Sequence, residues 1–405
     1  MKYFLVAGEP SGDSLGAKLI EALKEQDPQA EFHGIGGNLM QAAGMNTLLP
    51  MKELTVIGIW EAVMRLPQLM KVRNAIVQEV TKLEPDAVIT IDFPDFNFLL
   101  QKKLRANSAV KARLIHYVAP TVWAWRPGRA KLVAQFLDAM ICLFPFEPDY
   151  FKKHKLRSVF VGHPITQDNP AQGNEKNYRE MHEVPDNALL LGLFFGSRES
   201  EFKNNAQIIK ETAIYISEKI DNVHLVIPTL EALEYDVLQL LQDINIPAYV
   251  ESDQKHKWDA MAACDAAIAV SGTVGLELAY AGVPHVIVYK THPLTFLIVR
   301  LLAKVKYAHL ANIILGNQVV PEFLQFNCKP EKVSAKVLEL LASDEEANKQ
   351  KSEMTKIRDV LDNNKDERPS MRAAKYIIKL LNDSGGKKSS AVDVQNTEQA
   401  KKKAG

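Results

Sequence analysis

The stretch Ser271-Gly272-Thr273-Val274-Gly275-Leu276-Glu277 carries residue types suited to binding an anion. It follows the apolar run Ala266–Val270, which reads as a buried strand, and opens a helical run from Leu276 to Ala281. A helix that starts on small residues leaves backbone N–H groups unpaired at its positive end, a setting for a diphosphate. Ser271 and Thr273 can cap that helix or donate hydroxyls to phosphate, and Gly272 lets a ligand approach the backbone. Glu277, one turn in, can accept from ribose hydroxyls. The plainer reading is an ordinary N-capped helix. Gly196-Ser197-Arg198, after the strand-like Leu189–Phe195, is a second glycine turn and carries a permanent cation. The two turns can grip one diphosphate from two sides.

Three stretches of the first half also carry residue types that could do chemistry. Gly8-Glu9-Pro10-Ser11-Gly12-Asp13 lacks the glycine pattern of a dinucleotide loop and the Gly-Lys-Ser/Thr of a Walker A loop. Its two carboxylates favour sugar hydroxyls over phosphate. In Ile91-Asp92-Phe93-Pro94-Asp95-Phe96-Asn97, Asp92 leaves an apolar strand, where desolvation raises a carboxyl pKa and makes a better general base. Asp95 reads as a helix N-cap. His116–Arg129, with Trp123, Trp125, Arg126 and Arg129, suits stacking and anion recognition, or else the tryptophans are packing anchors.

The elements that position these residues are short apolar runs alternating with helical segments, an α/β pattern with parallel sheets. Strands are expected at 3–7, 31–35, 87–91, 113–118, 138–143 and 158–161. After a polar stretch between Ile165 and Asn187 they resume at 189–195, 223–227, 247–250, 265–270 and 284–289. In such sheets ligands gather at the carboxyl ends of the strands. We expect a first domain over 1–165, a second over 187–345, helices over 346–382 and a disordered tail over 383–405. The last helices return either to the first domain or to another protomer's, which makes a homodimer an open alternative.

The 405 residues carry no formal net charge, so no global nucleic-acid signature is present. Three scattered cysteines and the absence of HExxH or Asp-x-Asp suggest neither a disulfide framework nor a metal, and no cofactor is expected. Met1-Lys2 runs straight into a strand, so no signal peptide is expected. No apolar run is long enough to span a bilayer, and the expected compartment is the cytoplasm.

Together these stretches resemble the lipid-A-disaccharide synthases, inverting glycosyltransferases built as two facing Rossmann-like domains with a cleft between them (the GT-B arrangement). Phe144-Pro145-Phe146-Glu147, Val161-Gly162-His163-Pro164 and Leu310-Ala311-Asn312 match as well, in family order over about residues 3 to 382. Two positions depart from the family: Phe195 stands for a usual proline, and Gly275 for a commoner threonine.

The resemblance implies condensation of UDP-2,3-diacylglucosamine with 2,3-diacylglucosamine 1-phosphate, giving UDP and the β-1,6-linked disaccharide of lipid A. It implies Asp92 or Glu9 as base, with Asp13 positioning acceptor or base. Donor contacts would come from Gly196, Ser197, Arg198, Ser271, Gly272, Thr273, Glu277 and Asn312, and acceptor or cleft contacts from Ser11, Trp123 and Arg126. Acylated substrates imply work at the cytoplasmic face of the inner membrane, among its surface lipids. For that contact the apolar stretch Val56–Lys71 offers Ile59, Trp60, Val63, Leu66 and Leu69, with Phe296–Lys306 as a second segment. The alternatives are another UDP-sugar enzyme, such as a UDP-N-acetylglucosamine 2-epimerase, and a nonenzymatic nucleotide-binding membrane module.

Overall fold

A computed structural model describes residues 1–54, 66–303, 305–361 and 367–383. Among them run two sheets built of parallel strand pairs. The first has seven strands: β1 Lys2–Ala7, β2 Glu31–Ile35, β3 Asn46–Thr47, β4 Ala87–Ile91, β5 Arg113–Tyr117, β6 Ala139–Cys142 and β7 Arg157–Phe160. The second has six: β8 Leu189–Phe194, β9 Val223–Pro228, β10 Ala248–Glu251, β11 Ala266–Val270, β12 His285–Tyr289 and β13 Glu322–Leu324.

β4, β6 and β11 are buried along their whole length, which is why they read as unbroken apolar runs in the sequence. The second core forms where Ile268, Leu193 and Val288 meet Ile209, Ala213 and Val337 of the helices Glu199–Ser217 and Pro330–Ala342. The chain packs as two compact units, Met1–Ile115 with the segment from Ser370, and His116–Pro369.

Strand order decides where ligands can sit. The first sheet runs β3-β2-β1-β4-β5-β6-β7, so the winding reverses between β1 and β4. The second runs β10-β9-β8-β11-β12-β13 and reverses between β8 and β11. At such a reversal the loops leaving two neighbouring strands part company and open a crevice at their carboxyl ends.

Candidate active site

The loops singled out by residue type leave these four strands. Ala7 and Ile91 are register partners, so Gly8–Asp13 and Asp92–Asn97 start side by side. Ala269 pairs with Phe194, which brings Gly196–Arg198 beside Ser271–Glu277. Each pair of loops lies within one of the two units.

In the first unit Asp92 and Phe93 both take left-handed backbone, at φ 50° and 46°. Non-glycine residues adopt it sparingly, and Asp does so more readily than most. Asn97, fully buried, holds the turn by donating its amide to the carbonyls of Asp92 at 2.7 Å and Ile91 at 3.3 Å. The Phe93 ring lies against Gly8, where an added Cβ would stand 2.7 Å from Phe93 Cδ1. Only a bare Gly8 lets the two loops pack this closely. Asp92 is half-buried at the strand end, Glu9 is the N-cap residue of the helix Pro10–Gln26, and Ser11 is exposed in its first turn. Phe93, not Asp95, occupies the N-cap of the helix Pro94–Ala106, because Pro94 takes its first position.

Asp13 has structural partners that its residue type alone did not reveal. It is 5% exposed and accepts the backbone N–H groups of Gly37, Leu39 and Met40 at 2.8, 3.1 and 3.0 Å. Both its oxygens thus cap the short helix Asn38–Ala42.

In the second unit Gly196 sits at φ 89°, where a Cβ would also come within 2.5 Å of Glu201 Oε2. Glu201 organises this turn: it accepts Ser197 N–H at 3.3 Å and pairs with the exposed Arg198 guanidinium at 3.0 Å. Phe195, in place of the usual proline, is buried edge-on against Phe202 with ring centroids 5.4 Å apart. An aromatic anchor fixes the turn there instead of a pyrrolidine ring.

Gly272 is the N-cap residue of the helix Thr273–Ala281, with no side-chain cap bond among the described residues. A Cβ on Gly272 would meet nothing within 4 Å among the described residues, which leaves its backbone open to a ligand there. Thr273 is exposed at the helix start. Ser271 does not cap: its hydroxyl donates to the Ala308 carbonyl at 3.1 Å. Glu277 lies one turn in, with Lys257 Nζ 2.7 Å from its Oε2. Burial raises the Glu277 carboxyl above its usual range, while Lys257 pulls it down and Asp168 adds a smaller push upward.

Asn312 is fully buried and its amide is engaged at both ends. It donates to Val320 O at 2.7 Å and Glu322 Oε1 at 2.8 Å and accepts from Val319 and Val320 N–H at 2.9 Å each. These bonds shape the loop between Asn312 and Glu322.

The aromatic stretch divides between two environments. Trp123 is 7% exposed, packs edge-on to Phe144 and Phe146, and donates its indole N–H to Glu147 Oε1 at 3.2 Å. Phe144 in turn stacks on His163, so three sequence stretches meet in one cluster. Trp123 is a packing anchor. Glu147 Oε2 accepts Leu143 and Phe144 N–H at 3.0 Å each, yet burial pushes its carboxyl up to about 7. Trp125 is 37% exposed and carries the Arg126 guanidinium 4.1 Å from its ring centroid, a flat cationic plate at the surface.

Of the residues expected to meet lipid, Ile59, Trp60 and Val63 lie outside the described residues. Leu66 begins the helix Leu66–Leu83 and is 51% exposed, Leu69 is half-buried, and Met70 is 52% exposed. In the second expected segment Leu297 and Leu302 are exposed on the helix Pro293–Leu302. Among the described residues no helix is long and apolar enough to cross a membrane.

Residues 3–376 match the family model of lipid-A-disaccharide synthetase. The chain belongs to the lipid-A-disaccharide synthase family. A family member from Rhodospirillum centenum is 40% identical over 379 residues, covering 93% of this chain and 94% of its own. One from Gluconobacter oxydans is 38% identical over 380 residues, covering 94% and 91%. Solved structures share the fold at much lower identity. The UDP-GlcNAc 2-epimerase of Neisseria meningitidis, bound to UDP-GlcNAc, superposes with a TM-score of 0.61 at 12% identity, covering 95% of this chain and 100% of its own. The calicheamicin glycosyltransferase CalG4 gives 0.57 at 15%, covering 95% and 99%. The epimerase likeness is one of fold, whereas the synthase likeness extends to sequence along nearly the whole chain, so the epimerase alternative gives way. Lys257, Glu201, Glu322 and His309 escaped sequence reading. Their signal lies in three-dimensional pairing, not in local motif.

Proposed function

We propose that this protein transfers diacylglucosamine from its UDP carrier to the 6-hydroxyl of 2,3-diacylglucosamine 1-phosphate, forming the β-1,6 bond and releasing UDP. Membership of the synthase family over residues 3–376 carries the reading. The open backbone at Gly272 supports it by supplying a place for the diphosphate. Arg198 and the N–H groups of the first turn of Thr273–Ala281 stabilise the negative charge that builds on UDP as the glycosidic bond breaks. Glu277 accepts from the ribose hydroxyls. Inversion requires that the acceptor hydroxyl lose its proton as it attacks, and Asp92 is the base, with Glu9 the second choice. Asp13 ties the first turn of the helix Pro10–Gln26, next to Glu9, to residues 37–40. Trp125 and Arg126 offer a stacked cation to the phosphate of the acceptor.

The acylated substrates place the work at a lipid surface, for which Leu66 and Met70 offer exposed apolar side chains. We assign the protein to the cytoplasmic face of the inner membrane on that ground. Incubation of the purified protein with the UDP-diacylglucosamine donor and the acceptor lipid should release UDP in step with disaccharide. Release of UDP without disaccharide, or neither product, would refute the assignment.

A further inference from the structure

Behind the Ser271 loop lies a buried assembly to which the reaction above gives no role. His309 is fully buried, and its ring stands in the space that Gly275 leaves open. A Cβ added at Gly275 would come 2.7 Å from His309 Cε1 and 3.0 Å from both His309 Nδ1 and Ile287 Cδ1. Real Cβ atoms essentially never approach so closely, so the first turn of Thr273–Ala281 rests directly on the imidazole.

The imidazole is itself fixed. His285 Nδ1 faces the Val283 carbonyl at 2.8 Å and therefore carries the proton, which leaves His285 Nε2 as an acceptor. His309 Nε2, 3.3 Å away, must then be the donor, and the two rings meet at 86°. That tautomer leaves His309 Nδ1 as a bare lone pair, and it is buried with no hydrogen-bond partner among the described residues. Burial keeps both rings neutral, lowering His285 to about 4 and His309, with His285 beside it, well below the usual range.

The backbone on either side of this ring is bolted down as well. The N–H groups of Ala308 and His309 donate to the Glu322 carboxylate at 2.9 and 3.0 Å, and the Ala308 carbonyl receives the Ser271 hydroxyl at 3.1 Å. One short segment thus touches the diphosphate loop twice, at Ser271 and at Gly275.

We propose that His309 is a positioning residue for the nucleoside diphosphate, setting the height and tilt of the first turn of Thr273–Ala281 through its fit against Gly275. A buried nitrogen without a partner among the described residues is costly, and it stays here because the ring's shape fits the loop while its single N–H locks the ring to His285. Gly275 and His309 then form a matched pair: a larger residue at 275 requires a smaller one at 309. This rests on reading the Ser271 loop as the diphosphate site.

The test is a double-mutant cycle read by calorimetric titration with UDP and by steady-state kinetics, with thermal melts as a check on folding. Wild type must bind UDP; if it does not, the reading of the site fails before the pair is in question. Gly275→Ala should weaken UDP binding and raise the donor KM about tenfold, with kcat at saturating donor kept within about twofold. Adding His309→Ala should restore UDP affinity to within about threefold of wild type, a gain that independent, merely structural effects would not give. If Gly275→Ala binds UDP like wild type, or the double variant binds no better than Gly275→Ala, the proposal is wrong. Should Gly275→Ala fail to fold, His309→Ala alone decides: about threefold or greater loss of UDP affinity supports the proposal, and none overturns it.

Discussion

Lys257 Nζ stands 2.7 Å from Glu277 Oε2, so the carboxylate read from sequence as the ribose acceptor is held by a lysine on a neighbouring helix. Burial disfavours the ionised carboxylate and Lys257 favours it. Replacing Lys257 by Met removes the favourable contribution, so the Glu277 pKa rises further. Two opposite pH trends follow. UDP affinity of Lys257→Met should fall most at low pH, about tenfold, and recover as pH rises and Glu277 ionises. Its thermal stability should fall over the same rise in pH, because a carboxyl raised in the folded state stabilises the fold only while protonated. A UDP affinity that stays equally weak at every pH would show that Lys257 contacts the nucleotide by itself.

The sequence revealed the strands and their order of use more readily than the partners of the site residues. Ala266–Val270 and Ala87–Ile91 are buried on both faces, so their apolar runs announce them. Asn46–Thr47 and Glu322–Leu324 have only two and three residues and are partly exposed, so no pattern marks them. The glycine loops were legible because backbone conformation and close approach restrict residue type locally. The capping partners of Asp13 were hidden for the opposite reason: the N–H groups that it accepts lie 24 to 27 residues along the chain. Asn312 and Trp123 likewise have types suited to ligands but partners inside the protein, at Val320 and Glu147.

Asp92 and Asp95 separate chemistry from architecture. Asn tolerates the left-handed backbone of Asp92 as well as Asp does, so Asp92→Asn keeps the turn that Asn97 holds. It should bind UDP normally and lower turnover by roughly 10²- to 10⁴-fold, the range for a general base. Asp95 lies in the first turn beyond Pro94, where its charge favours the helix dipole, and Asp95→Asn should cost about 0.3–1 kcal/mol of stability and leave turnover intact. Turnover should be measured at saturating acceptor. If Asp92→Asn keeps more than about a tenth of wild-type turnover, Glu9 becomes the base.

Arg198 tests how the diphosphate is neutralised. Its guanidinium is paired with Glu201 at an exposed position, from which it can turn to a ligand. Arg198→Ala should weaken the donor by roughly 10- to 100-fold, the loss of a charged hydrogen bond. Arg198→Lys should recover only part of this, since a point charge replaces a fork. UDP release in excess chelator should match that in buffer. Activity lost to chelator and restored by Mg²⁺ would assign the charge to a metal.

Leu66 and Met70 give the membrane reading a handle among the described residues. Both are about half exposed, at the start of a helix whose Val72, Ile76 and Val80 form its buried side. Leu66→Ser with Met70→Ser should therefore leave the melting temperature within a few degrees and reduce binding to anionic liposomes in a sedimentation assay. UDP affinity should be unchanged. Undiminished liposome binding would remove these two residues from the lipid contact.

Glu147 ties stability to pH. It is 2% exposed and accepts three N–H groups, those of Trp123, Leu143 and Phe144. Those bonds favour its ionised form, but burial outweighs them and raises its carboxyl from 4.5 to about 7. A raised carboxyl contributes stability below its ordinary pKa and loses that contribution as pH rises through the folded value. Wild type should therefore lose about 3 kcal/mol from this group between pH 4.5 and 7, at about 1.36 kcal/mol per pKa unit. Glu147→Gln cannot ionise, so that slope should vanish from denaturant titrations across the window. The same variant turns an amide N–H₂ toward either Trp123 or the two backbone donors and forfeits at least one of the three bonds, about 1 kcal/mol at every pH. A Glu147→Gln protein that keeps the wild-type slope would locate the titrating group elsewhere in the cluster.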